Sequence, residues 1–547
     1  SGIGSSGSPF NHNLELKANN GVGFSSNVFI ADNKNLTIVA DLDNSGAGDV
    51  NFGGTTLQVG NAAAITNTTG AMSVTGQSIN MIVSGGGSGT LAVAGAGTQT
   101  FTAKGNEIRF ENQTGGSLNV TTVSGLQTFD TSAATTGNMV VQSASSATGG
   151  NVNVSTGTGG TQSFNLKGGL TVQSTSTGGT AATATVSAAT GQTIAAKYVE
   201  VLANGAGNAT ILNNSGTQQI TTTGQNASGE GLIVKNTGSA AGKASIENPG
   251  ATQIITMTGA DHLRVIGQAG QAFISTLGTQ TISITGAASL NSIEIGSATA
   301  VSASQIVSTG ASQSVTAGTG TDVGGAITIQ GGQTDGLKSA ILGNVAQTVS
   351  TTGTLSLKGG TAAGPIGAFA QVFAGGTNVQ SITQTVTAKA ITMTGGDSGS
   401  TNRADLSTSS AVASAIQKIN AGSGGITLTG GVAGNNNTAN IRQNNTAPAS
   451  NQTVTVTGGG TIKITGGGGV GTSAQIFNGG GGLQSIGFVS GGAINLKGGT
   501  GTGNAATNTG NGVSIQAAIG NQTITGSPTT TIAPGDSGGF SNADHTA

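Results

Sequence analysis

Gly535-Asp536-Ser537-Gly538-Gly539 is a string that can present a serine nucleophile on a tight turn. That chemistry requires a histidine base within hydrogen-bond reach and a carboxylate that orients it. The chain has three histidines, His12, His262 and His545, and none stands in a context that would serve Ser537. In a chain this rich in Gly and Ser, the string is expected to be a loop. A second cluster, Asp261-His262-Arg264, combines an acid, an imidazole and a cation, the residue types with which a β-helical enzyme acts on polysaccharide. No other charged pair at the same phase on a neighbouring repeat supports it, so a solvated corner is expected. The third candidate runs from Asp41 to Asp49, where Asp41, Asp43 and Ser45 have calcium-ligand spacing and Gly46 stands at the turn. Its twelfth position is Phe52 instead of a bidentate Glu, and an inter-strand turn is expected there. Glycine-rich strings carry no phosphate-binding weight, because no helix follows them to supply a dipole. No catalytic residue, metal site or cofactor is expected.

Composition sets what could position such groups. Of 547 residues 99 are Gly, about 18 % against a usual ~7 %, while 7 % are charged and 3 % aromatic. A disordered chain would be poorer in hydrophobic residues and richer in charge. This one is 35 % hydrophobic, with six Pro and a net charge of −2. It can build a core of Ile, Val, Leu and Ala in thin layers. Four arginines (Arg109, Arg264, Arg403 and Arg442) and near-neutral charge leave no electrostatic case for nucleic acid. Zero Cys excludes disulfides and thiolate metal sites, and fits a chain that stays unfolded while crossing a cell envelope. No run approaches ~18 apolar residues, so no membrane-spanning segment is expected. The chain begins at Ser1 without Met or signal peptide and reads as a processed product or a trimmed piece.

Self-similarity dominates the sequence. Gln followed by Thr, Ser or a relative and then an aliphatic or Phe recurs at Gln77, Gln99, Gln127, Gln162, Gln192, Gln218, Gln253, Gln280, Gln313, Gln347, Gln384, Gln417, Gln452, Gln484 and Gln522, a mean spacing of about 32 residues. Each repeat holds three alternating runs. The first resembles Gln452/Val454/Val456 with Thr453 and Thr455 opposite; the second resembles Ile462/Ile464 with Lys463 opposite; the third is Ala-x-aliphatic, as in Ala404/Leu406, Ala439/Ile441 and Ala474/Ile476. Period-2 alternation predicts strands with one buried face. The charged residues Glu200, Arg264, Glu294, Asp405 and Lys463 all fall on the outward phase, which supports the register. The fold expected is all-β: a single right-handed parallel β-helix, or β-solenoid, with three short strands and about 32 residues per coil. The recurrent Gln shares the phase of the buried aliphatics, where an isolated amide would be costly. Stacked at the ~4.8 Å inter-strand repeat, the amides can form a ladder.

The stretch NLTIVADLDNSGAGDVNFGG (Asn35 to Gly54), followed by Gly/Thr/Asn-rich coils without Cys, resembles the fibre region of two-partner secretion exoproteins, the filamentous-haemagglutinin-like adhesins of Gram-negative bacteria. The resemblance implies a right-handed β-helix exported through an outer-membrane pore. It also implies a secreted or cell-surface fibre serving adhesion, aggregation or biofilm. The Asn-Pro-Asn motifs of that family's secretion domain do not occur here, so either that domain has been removed or the export route differs.

The organisation expected is a flexible Gly/Ser leader over 1–11, N-terminal coils over 12–76, a repetitive region with the Gln ladder over 77–535 and a polar tail over 536–547. The Gln-Thr-Ile run persists in the last coil and no cap is recognisable, so the expected partner is a second copy stacked head to tail. A host or neighbouring-cell surface would be the other partner. Two alternatives remain at this level, a polysaccharide-acting β-helix enzyme and an ice-binding solenoid. The latter is suggested by outward Thr-x-Thr pairs such as Thr256/Thr258, Thr453/Thr455 and Thr523/Thr525.

Overall fold

Short runs that alternate apolar and polar residues can bury one face only by stacking against copies of themselves. The computed structural model shows this arrangement. It describes residues 5, 7–59, 69–84, 87–145, 149–176, 181–238, 241–259, 262–285, 292–319, 324–376, 381–410, 414–445, 447–500 and 511–533. Among them are strands and turns and no helix. The chain divides into two compact units, Ser1–Thr258 with Ala269–Gln271, and Gly259–Gln268 with Ala272–Ala547. Each is a β-solenoid of stacked parallel sheets.

In unit 1 the glutamine strands stack in register, Gln99 beside Gln127, then Gln162, Gln192, Gln218 and Gln253. The Ala-x-aliphatic strands do the same, with Val120, Val154, Val186, Ile211 and Ile246 in one column. The fully buried rings among the described residues lie here: Phe52, Phe101, Phe110, Phe129 and Phe164 are among the largest fully buried side chains. Phe101, Phe129 and Phe164 form a stack with centroids 5.4 and 4.8 Å apart. Each such residue taken out of water contributes about 1.5–3 kcal/mol.

Unit 2 repeats the pattern from Gln280 to Gln522, with Ile274, Ile306, Ile341, Val372, Leu406, Ile441 and Ile476 as the column opposite. Three of its strands depart from the short runs expected. Ala346–Lys358, Ile382–Thr394 and Ala415–Thr429 are 13, 13 and 15 residues long, and each continues through a corner that elsewhere separates two strands. The bend is taken by register shifts, between Thr351 and Thr354 and between Ala388 and Ala390. Gly425 shows why glycine is needed at such a bend: its φ is +69°, and a Cβ there would lie 2.1 Å from the Thr461 carbonyl oxygen.

Candidate functional site

The glutamine side chains lie inside the coils, 0–2 % exposed from Gln99 to Gln484. From Gln127 to Gln253 in unit 1 and from Gln313 to Gln484 in unit 2, each Nε2 donates to the Oε1 of the glutamine one coil earlier, at 2.7–2.9 Å. Gln522 continues the row onto Gln484. Several of the amides also donate across the interior to a third-series carbonyl, as Gln127 does to Val120 at 3.0 Å and Gln452 to Phe477 at 3.0 Å. The row therefore ties two walls of the coil together while meeting its own hydrogen-bonding needs. No ligand could reach these amides without opening the coil.

Gln77 does not belong to the row. The strand position beside Gln99 is Met72, whose sulfur accepts from Gln99 Nε2 at 3.6 Å. Gln77 lies in the bend after the strand Met72–Gly76, and its amide donates to Asp41 Oδ2. Gln77-Ser78-Ile79 imitates the repeat because Ile79 is itself inward, but it opens a strand of the second series.

That contact explains the Asp41 to Asp49 turn. Asp41 is buried, with φ +56°, and its Oδ1 accepts from the Ser45 hydroxyl at 3.1 Å and the Gly46 amide at 3.0 Å. Ser45 N donates to Asp43 Oδ1 at 3.2 Å. The donors that surround Asp41 are groups of the protein, which makes this a side-chain-braced turn. No cluster of three metal-ligating side chains occurs among the described residues. The Gln77 amide first, aided by Ser45 and Gly46, holds the Asp41 carboxyl below its ordinary value against the opposing effect of burial. A carboxyl depressed by folding adds stability above its unfolded value of about 3.9 and loses it as pH falls through the folded value. Amides 44–48 should therefore exchange faster as pH drops below about 4, after correction for intrinsic rates. Asp41→Asn should flatten that dependence; an unchanged profile would show that Asp41 does not brace the turn.

The Asp261-His262-Arg264 cluster is only partly in view, since Asp261 lies outside the described residues. His262 and Arg264 open the strand His262–Gly267 and face Ser292 and Glu294 on the next strand. The His262 ring hydrogen-bonds Ser292, and Arg264 Nε donates to Glu294 Oε2 at 2.9 Å. The next strand offers one charged residue at this phase, Glu294, which neutralises the arginine, and a serine beside the histidine. Ser537 and its string also lie outside the described residues. The Thr-x-Thr face is not continuous: Lys418 and Asn420 stand beside Thr453 and Thr455, with Ser485 and Gly487 on their other side.

A denser polar cluster lies on the outer face of the third series in unit 2. Strands Phe369–Gly376, Arg403–Ser410, Thr438–Gln443 and Ala474–Asn478 are successive neighbours. Register places Arg403 between Phe369 and Thr438, Asp405 beside Asn440, and Gln475 beyond Asn440. Asp405 points outward as its phase requires, yet it is 1 % exposed because its neighbours close over it. Arg442 Nη2 donates to Asp405 Oδ2 at 2.8 Å, and Asn440 Nδ2 donates to Asp405 Oδ1 at 3.0 Å. Arg403 lies over the Phe369 ring at 5.6 Å. Burial lowers the Arg403 guanidinium from its ordinary value; Asp405 opposes this shift and Arg442 adds to it.

No family model, curated protein or solved structure matches the chain. Its function has to be argued from its own geometry.

Two features escape the sequence pattern as read above. One is the Arg403 cluster, whose signal is the outward sequence Arg403-x-Asp405-x-Ser407 beside Thr438-x-Asn440-x-Arg442 on the following strand. The other is a second polar row at a corner of unit 2. Asn402 N donates to Asn437 Oδ1 at 2.8 Å, and Thr472 N donates to Asn511 Oδ1 at 2.8 Å. Asn402 Nδ2 also donates to the carbonyls of Ala362 and Ser398, at 2.9 and 2.7 Å. These side chains satisfy corner backbone groups that no sheet reaches.

Proposed function

We propose that the chain is a structural subunit of an extracellular fibre that stacks head to tail and serves adhesion, aggregation or biofilm cohesion, without catalysis. In this reading it is a right-handed parallel β-helix with three strands and about 32 residues per coil. Secretion from a Gram-negative cell follows from the resemblance at Asn35 to Gly54 and from the absence of Cys. No helix among the described residues is long and apolar enough to cross a membrane.

The observation that carries the reading is a pair of strands in unit 2 whose isoleucines are exposed although they belong to the repeat. Strands Gln522–Thr525 and Thr529–Ala533 pair with Gln484–Phe488 and Ala493–Lys497, and no other strand pairs with them among the described residues. Ile524 and Ile532 are 44 % and 41 % exposed, whereas Ile486, beside Ile524, is buried. Exposed isoleucines on strands of the repeat form a surface that a further parallel coil would close. When a second copy supplies that coil, the contact is heterologous and grows without closing. Negative-stain microscopy and sedimentation over a concentration series should show filaments that lengthen with concentration. Ile524→Lys should shorten them while the β circular dichroism is kept. A monodisperse monomer at high concentration would overturn the proposal.

A further inference from the structure

The outer face around Arg403 carries a groove of about 320 Å³, and every residue that lines it is polar or glycine. Arg403, Thr438, Asn440, Arg442 and Gln475 contribute from three successive strands, and Ser473 from just before the third. We propose that this groove binds the carboxylates of an acidic polysaccharide, with Arg403 as the principal anion contact and Arg442 as the second. Asn440 and Gln475 meet the sugar hydroxyls. The inference deepens the adhesive reading above and rests on it for its biological setting.

Charge supplies the first reason. Two guanidinium groups stand near one carboxylate, which pairs with Arg442 alone, so the site carries a surplus positive charge in a chain with few cations. Arg109, Arg264 and Arg442 each pair with a carboxylate at 2.7–2.9 Å. Arg403 makes no ion pair among the described residues; its guanidinium is held by the Phe369 ring instead. A partly desolvated arginine without a carboxylate, kept in place by an aromatic face, is arranged to receive an oxyanion.

Unmet hydrogen-bonding capacity supplies the second. Arg442 Nε and Asn440 Oδ1 are buried and have no hydrogen-bond partner. The Asn440 amide nitrogen is already committed to Asp405 and to the Thr438 hydroxyl at 2.9 Å, so its oxygen is left to accept. Asp405 positions Arg442 and Asn440 and does not itself meet the ligand, being closed off beneath them. A docked carboxylate and hydroxyl would satisfy groups that are otherwise costly to leave unpaired.

Lining chemistry decides between classes of polymer. An acidic peptide would gain affinity from apolar pockets for its alternate side chains, and this groove has no apolar lining residue. A polyhydroxylated chain suits amides and hydroxyls repeated at the ~4.8 Å strand spacing.

The test uses the full chain, held at a concentration where sedimentation shows single subunits. It is titrated with a galacturonate hexamer, the methyl-esterified hexamer, inorganic phosphate and polyglutamate. Saturable binding of the hexamer is expected, weakened by added salt and at least about tenfold weaker for the ester. Arg403→Gln should reduce hexamer affinity at least about tenfold and lower the melting temperature less than Arg442→Gln does, because it loses a ring contact but no ion pair. Arg442→Gln should also reduce binding but lower stability, since it strands the buried Asp405. Equal binding of the ester, binding of phosphate or polyglutamate as tight as the hexamer, no saturable binding, or an unaffected Arg403→Gln variant would each overturn the inference. Filament formation is scored separately. Filaments without hexamer binding would sink this inference alone, and hexamer binding without filaments would sink the fibre reading alone.

Discussion

Phe129→Ala is expected to destabilise the N-terminal solenoid unit by about 3–5 kcal/mol, the largest effect of any single substitution considered. Phe129 is fully buried in the strand Leu126–Asp130. Its ring stacks on Phe101 at 5.4 Å with an interplanar angle of 4° and on Phe164 at 4.8 Å with 21°, and it meets Phe110 edge-on at 6.1 Å. Truncation removes the transfer energy of the ring, leaves a cavity between two coils and abolishes three ring pairs, each worth about 0.5–1.5 kcal/mol. Stability in a solenoid is a sum over neighbouring coils, so the loss should be local. Amide protection should fall steeply in Gln99–Ala103 and Thr161–Asn165 while Gln484–Phe488 retains its own. Phe129→Leu should cost clearly less, because most of the volume is kept. Uniform loss of protection along the chain would contradict a neighbour-coupled core.

The phase of the strands is legible in the sequence because burial imposes it residue by residue. Val454 and Val456 alternate with Thr453 and Thr455, and the structure buries the first pair and leaves the second partly exposed. The Gln row is legible for the same reason, with one exception. Gln77 satisfies the local pattern and fails the stacking test, because Met72 occupies the ladder position. Corners are harder to read. A Gly-rich corner and a strand that bends through one look alike in sequence, as at Gly422 to Gly425, where the strand Ala415–Thr429 continues unbroken. The Arg403 site was hidden by the averaging that reveals a repeat. Outward positions vary freely, so Arg403, Asp405, Asn440 and Arg442 each look like an ordinary solvated residue until register sets them side by side. Where the inside is periodic and the outside is not, specific chemistry is found on the aperiodic positions.

The ladder itself makes the last and sharpest claim, through Gln384. Its Nε2 donates to Gln347 Oε1 at 2.8 Å and to the Ser407 carbonyl at 3.1 Å, and its Oε1 accepts from Gln417 at 2.9 Å. Gln384→Leu keeps the side-chain volume but replaces the amide by an apolar group, which orphans the Gln347 oxygen and takes one donor from the Ser407 carbonyl. At about 1–3 kcal/mol for an unsatisfied buried group, the expected cost is about 1–3 kcal/mol. Gln417 is protected in part, since its amide also reaches the carbonyls of Leu406 at 3.2 Å and Arg442 at 3.3 Å. Thr385→Val, one residue along on the outer phase, should change stability by no more than about 0.5 kcal/mol. The double variant Gln347→Leu with Gln384→Leu separates a ladder from a set of independent amides. Removing both partners of one hydrogen bond abolishes the orphan created by the single change, so the combined cost should fall short of the sum by about 1 kcal/mol or more. Chemical denaturation of the full chain, read together with local hydrogen exchange at Ile382–Thr394, measures all four corners of the cycle. Additive costs would mean that each glutamine is held by its own backbone contacts and that the row, however regular, carries no cooperative stabilisation from coil to coil.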